Sequence, residues 1–153
     1  MTPTEYREIA VAHFKEGFNC SQSVLLTFAE DCQLERETAL KIAASFGGGM
    51  GRLREVCGAV SGMFMAAGLL YGYSSADDNK AKTAHYALIQ QLAENFRKKN
   101  KSIVCRDLLG LDNKSDSPKP ESRTNEYYKK RPCAELVGDA AEILAEYINS
   151  RKE

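Results

Sequence analysis

REVCGAVSGMFMAAGLLYG (residues 54–72) decides the fold. Cys57 stands near its head, and from Val56 to Tyr73 no side chain carries a charge. A run of about 18 uncharged residues reaches the lower limit for a membrane-spanning helix. Its composition is poor for lipid, because Gly58, Gly62, Gly68 and Gly72 dilute the apolar surface and Ser61 and Tyr71 add polar atoms. A helix apolar all round in a water-soluble protein is a central one. Each interior glycine costs a helix about 1 kcal/mol against alanine, so several in one helix require an offsetting packing gain. Gly58, Gly62 and Ala66 recur at every fourth position and form a stripe that a neighbouring helix can approach closely. That neighbour fits equally well from the same chain or from a second subunit, which makes a homodimer compatible with the stripe. The stretch reads as a buried Gly/Ala-rich central helix, with no membrane insertion.

Helical spacing continues on both sides. Tyr6, Ile9, Ala10, His13 and Phe14 share a face after Pro3, and Gly17 ends that helix. Asn19 or Ser21 caps a second helix that turns Val24, Leu25 and Phe28 inward. Ala39, Ile42, Ala43 and Phe46 mark a third, which stops at the GGGMG run. After the central helix, Asp77 caps a fifth with Ala81, Ala84, His85, Leu88, Leu92 and Phe96 inward. Ser102 caps a short helix through Leu109, and residues 111–126 form a flexible polar loop of a length uncommon inside compact domains. A last helix from Pro132 turns Leu136, Ala140, Ile143, Leu144, Tyr147 and Ile148 inward. With no strict alternation and no repeat, the expectation is an all-α, single-domain helical bundle over residues 1–153, of about six to seven helices.

The 21 basic and 21 acidic residues balance. A nonspecific nucleic-acid binder normally needs a basic excess, so nucleic acid is not an expected partner. The opening MTPTEYREIAVAHF lacks the basic head and apolar centre of a secretory signal, and a cytoplasmic location is expected. Five cysteines in a reducing compartment are typically free, catalytic or metal-bound rather than structural disulfides.

On the helical map, Cys20, Cys57, Cys105 and Cys133 all fall in the first turn of a helix; Cys32 lies near a helix end and reads as core. Unpaired N–H groups and the helix dipole lower a thiol's pKa at such a position. A single cysteine there is most simply a small buried hydrophobe, but four favour a shared site. There is no C-x-x-C, so no thioredoxin-type motif or zinc knuckle is signalled. Four converging thiolates would form dithiol pairs, or hold zinc or an iron–sulfur cluster. GGGMGRLR (residues 47–54) matches neither the P-loop nor the dinucleotide pattern. It reads as a connection whose Arg52 and Arg54 favour the Cys57 thiolate, or which cradles an anion. Arg52, Arg54, Gly58 and Gly62 are the residues expected beside a cofactor. His13 and His85 read as core histidines, and YYKKR before Pro132 as solvated surface, with Tyr127 or Tyr128 near the entrance to Cys133.

FNCSQSV, CGAVSG, CRDLLG and RPCAELV, in that order, resemble the four cysteine segments of the redox-active family labelled C_GCAxxG_C_C. The similarity runs from about residue 18 to residue 137. It maps Cys20, Cys57, Cys105 and Cys133 onto the family's cysteines, and Gly58, Ala59 and Gly62 onto its small-residue motif. This chain reads Cys-Gly-Ala where the label has Gly-Cys-Ala. The resemblance implies redox activity without a defined substrate, an unidentified redox partner, and a role beside a membrane transporter system.

The expectation is therefore a thiol–disulfide redox protein with Cys57 as attacking thiol. The alternatives are a protein whose four cysteines hold an iron–sulfur cluster or zinc, and a bundle whose cysteines only pack.

Overall fold

The computed structural model describes residues 1–111 and 116–152. Helix α1 (Pro3–Lys15) opens with a capping box, in which Thr2 Oγ1 accepts the Glu5 N–H and Glu5 Oε2 accepts the Thr2 N–H, both at 3.1 Å. Helix α2 (Cys20–Thr27) opens the same way: Asn19 Oδ1 accepts from the Gln22 N–H at 2.9 Å and Gln22 Oε1 accepts from Asn19 at 3.1 Å. Asn19 is thus the cap, and Ser21 is buried. Helix α3 (Arg36–Ala43) runs through a 3₁₀ turn into the short turn α4 (Gly47–Met50). Helices α5 (Gly58–Tyr71), α6 (Asn79–Asn100), α7 (Cys105–Leu109), α8 (Asn125–Lys130) and α9 (Cys133–Arg151) complete an all-α bundle.

Helix α9 packs against α1, α2, α5 and α6, and α5 packs against α2, α6 and α9. Their shared core contains the fully buried Phe14, Phe28, Phe96, Met63 and Leu144, each contributing about 1.5–3 kcal/mol through burial. The first six residues of α5 are buried, but its second half surfaces, and Leu69 is 51% exposed. The all-round burial expected of α5 holds for its N-terminal half only, and α9 shares the centre. No helix among the described residues is long and apolar enough to cross a membrane.

The glycine stripe faces α2 of the same chain. A Cβ on Gly58 would lie 2.9 Å from the Phe46 carbonyl oxygen and 3.1 Å from Cys20 Cβ. One on Gly62 would lie 2.7 Å from the Ser21 carbonyl oxygen and 3.0 Å from Val24 Cβ. The close approach brings Cys20 beside the head of α5.

Several local expectations shift. Asp78, one residue past Asp77, caps α6 by accepting the Ala81 N–H at 2.9 Å. Ile42 is exposed, and Ala84 surfaces because the first half of α6 borders an open groove with Tyr71, Tyr73 and Tyr147. Ser102 is not the α7 cap; its hydroxyl accepts the Val104 N–H at 3.0 Å and the helix starts at Cys105. Of the flexible loop expected over 111–126, residues 112–115 lie outside the described residues. Helix α8 begins within its end, capped by Thr124, because Thr124 Oγ1 accepts the Tyr127 N–H.

Candidate functional site: four thiols around one cavity

All four family-type cysteines lie at helix starts. Cys20, Cys105 and Cys133 are the first residues of α2, α7 and α9, and Cys57 is the N-cap of α5. Asparagine capping places Cys20, and Pro132 precedes Cys133 as the cap of α9. An antiparallel bridge pairs Val56 with Val104. It is flanked by bonds from Cys57 N to the Ile103 oxygen at 2.7 Å and from Cys105 N to the Glu55 oxygen at 2.6 Å. Cys57 and Cys105 therefore lie diagonally on one face of the bridge.

The four cysteines line a cavity of about 430 Å³, together with Tyr127 and Leu136 among others. Cys57, Cys105 and Cys133 are buried and Cys20 is half-buried. All five cysteines are free thiols. Cys32 stands outside the cavity, with its Sγ 3.8 Å from the Ala66 carbonyl oxygen.

The turn beside the cavity is left-handed. Gly48, Gly49, Met50, Gly51 and Arg52 all have φ between 60° and 70°, and Arg54 has φ 60°. A left-handed conformation costs a non-glycine residue about 1–2 kcal/mol, so Met50, Arg52 and Arg54 store strain at the site. Gly49 cannot be otherwise: a Cβ there would stand 2.5 Å from Cys105 Cβ. The turn sends Arg54 to Cys105, not to Cys57. Its Nη1 lies 3.5 Å from Cys105 Sγ, and its Nη2 lies 3.1 Å from Asp116 Oδ2.

The thiols differ in acidity. Hydrogen bonding from the Cys20 thiol is the largest influence on Cys133; with Tyr127, Arg131 and Arg123 it outweighs burial and brings Cys133 down to about 7. The same bond pushes Cys20 well up, with burial and the charges of Cys133, Cys57 and Cys105 acting in the same direction. Burial raises Cys57 to about 12, although the Val60 and Ala59 N–H groups at the head of α5 oppose it. Burial also raises Cys105, against the Arg54 guanidinium. The backbone N–H groups at the head of α5 thus act in the expected direction at Cys57, but the expected lowering at helix starts fails at Cys20, Cys57 and Cys105, all of which are raised.

Residues 116–124 form a strap that lines the cavity through Pro118, Pro120, Glu121 and Arg123. Asp116 bonds to Arg52 through its N–H at 2.9 Å and through its carboxylate at 3.2 Å. Arg52 Nε reaches the Ser117 carbonyl at 2.6 Å, and Arg131 pairs with Glu121 at 2.6 Å. Arg123 donates to the carbonyls of Phe14 and Phe18 at 2.7 and 3.0 Å, its guanidinium 3.9 Å from the Phe14 ring centre. Pro118, Pro120, Glu121, Arg123 and Arg131 line the cavity, and none was singled out in the sequence. Arg131 alone carried a signal: it stands two residues before Cys133, inside the run read as solvated surface.

Of the residues expected beside a cofactor, Arg52, Arg54 and Gly58 line the cavity, whereas Gly62 faces α2 outside it. His13 sits 3.2 Å from Glu16, and His85 borders the groove by Tyr73; neither lines the thiol cavity. Among the described residues, no three His, Cys, Asp or Glu side chains stand in an arrangement able to hold a metal ion.

A helical bundle that gathers four thiols at helix N-termini around one cavity defines the structural class. Residues 18–147 match the family described as "Putative redox-active protein (C_GCAxxG_C_C)", and the chain belongs to that family. No curated protein and no solved structure gives a significant match.

Proposed function

We propose that the protein carries out thiol–disulfide exchange with Cys133 as the attacking thiolate and Cys20 as the resolving thiol. The observation that carries this reading is that both thiols stand at helix starts in one cavity, where Arg131, Arg123 and Tyr127 favour the Cys133 thiolate while burial and the neighbouring thiols disfavour that of Cys20. A thiolate is the nucleophile, and one with a pKa near ambient pH attacks most effectively. Cys57, pushed to about 12, stays protonated at neutral pH, so the attacking role passes from Cys57 to Cys133.

In the reaction, Cys133 Sγ attacks one sulfur of a substrate disulfide and forms a mixed disulfide. The other substrate sulfur leaves as a thiolate and takes a proton. Cys20 then loses its proton and attacks Cys133 Sγ, which releases the second substrate thiol. The substrate gains two electrons and the protein keeps a Cys20–Cys133 disulfide, which an external dithiol reductant resets. Tyr127, which favours the charged form of Cys133, steadies its thiolate between turnovers.

A Cys20→Ser variant is expected to accumulate the mixed disulfide at Cys133, visible as an added substrate half by intact mass. Wild-type exchange rates in a Cys133→Ser variant would refute the assignment.

A further inference from the structure

We infer that the thiol cavity selects a small disulfide bearing carboxylate groups, a reading that rests on the proposed Cys133–Cys20 exchange and names its substrate class.

Size is the first ground. A cavity of about 430 Å³ falls within the range of small-molecule sites. Cys57, Cys105 and Cys133 are 3%, 7% and 8% exposed, and the strap lines the same cavity. The disulfide of a folded protein does not reach sulfurs so placed, whereas a flexible small molecule does.

Charge is the second ground. Among the described residues, Arg52, Arg54, Arg123 and Arg131 line the cavity against one carboxylate, Glu121. Asp116 and Glu121 pair with three of these arginines. The hydrogen bonds of Arg123 go to neutral backbone carbonyls, and among the described residues it pairs with no carboxylate. Arg54 is 5% exposed, and its Nε has no acceptor. The net field over the thiols is positive, and a cleft of one sign with low-dielectric walls concentrates the opposite charge. Leu108, Leu109, Pro118 and Leu136 supply apolar wall for the methylene and sulfur atoms between two carboxylates.

In the exchange, the disulfide gains two electrons and two protons and leaves as two carboxylate-bearing thiols, while Cys20 and Cys133 are oxidised to one disulfide. The test uses the reduced protein in single turnover with three disulfides: dithiodipropionate (anionic), hydroxyethyl disulfide (neutral) and cystamine (cationic). Each rate is divided by that of the same disulfide with mercaptoethanol. The normalised rate is expected to fall from anionic to neutral to cationic, with about a tenfold span or more at low salt and a smaller one at high salt.

Binding is read separately, by calorimetry of Cys133→Ser protein with thiodipropionate, which has both carboxylates but no S–S bond. It is expected to bind, and to weaken about tenfold when Arg131→Gln is added to a protein of unchanged helical content. Equal normalised rates, or a preference for cystamine, would overturn the inference. Thiodipropionate binding without exchange by any disulfide would support anion selection and overturn the Cys133–Cys20 chemistry. Exchange without charge preference or thiodipropionate binding would do the reverse.

Discussion

Arg54 holds its Nη1 3.5 Å from the Sγ of Cys105, from a position three residues past Gly51 and at φ 60°. One side chain thereby ties a site thiol to the strap, because its other nitrogen reaches Asp116. In an Arg54→Gln variant, Cys105, already raised by burial, loses the guanidinium that opposes that rise. Its pKa climbs further, and its alkylation at fixed alkaline pH slows. Loss of the charged hydrogen bonds is expected to lower stability by about 1–3 kcal/mol, measured by urea unfolding.

Alkylation of Cys133 against pH is expected to give a midpoint at about 7. In a Cys20→Ala variant the largest lowering influence is gone, and the midpoint moves up toward the ordinary 9.0. The sign for stability follows from linkage. Depression of the folded pKa stabilises the fold above 9.0, and that contribution is lost as pH falls through about 7.

Burial raises Cys57 from 9.0 to about 12, and burial with the Asp31 hydrogen bond raises Tyr6 from 10.0 to about 12. Both groups are acids held in their neutral form by the fold. Their contribution is complete below the ordinary values and is lost as pH rises toward about 12. Urea midpoints are therefore expected to fall steadily through the alkaline range, and Cys57→Ala is expected to make that fall shallower.

The α5 glycines separate packing from propensity. At Gly62 a Cβ would press within 2.7 Å of the Ser21 carbonyl, and Gly62→Ala is expected to cost about 1–3 kcal/mol. At Gly68 a Cβ meets nothing within 4 Å, so Gly68→Ala is expected to stabilise by up to about 1 kcal/mol. Thermal midpoints of the two variants should move in opposite directions.

Much of the bundle was legible because its signals are local. Capping residues, Gly17 and the 3.6-residue spacing of Tyr6, Ala10 and Phe14 mark helices within a few residues of themselves. The cysteines at helix starts were legible for the same reason. What brings them together was not. The Val56–Val104 bridge joins segments with no shared pattern, and two single residues carry no alternation. Arg54 stands close to Cys57 in sequence, but a left-handed backbone turns it to Cys105, which proximity along the chain does not reveal. The strap reads only as polar loop, since the bonds of Arg123 and the ion pairs of Asp116 are to distant segments. The ranking of the thiols depends on burial, whereas a helix start together with the nearby Arg52 and Arg54 favoured Cys57.

Peptide mapping of the disulfide formed when reduced protein meets one equivalent of a small disulfide tests the central claim most directly. The account predicts a single Cys20–Cys133 link, with Cys32, Cys57 and Cys105 recovered as free thiols. A Cys57–Cys105 link formed first, with Cys133 still reduced, would contradict it.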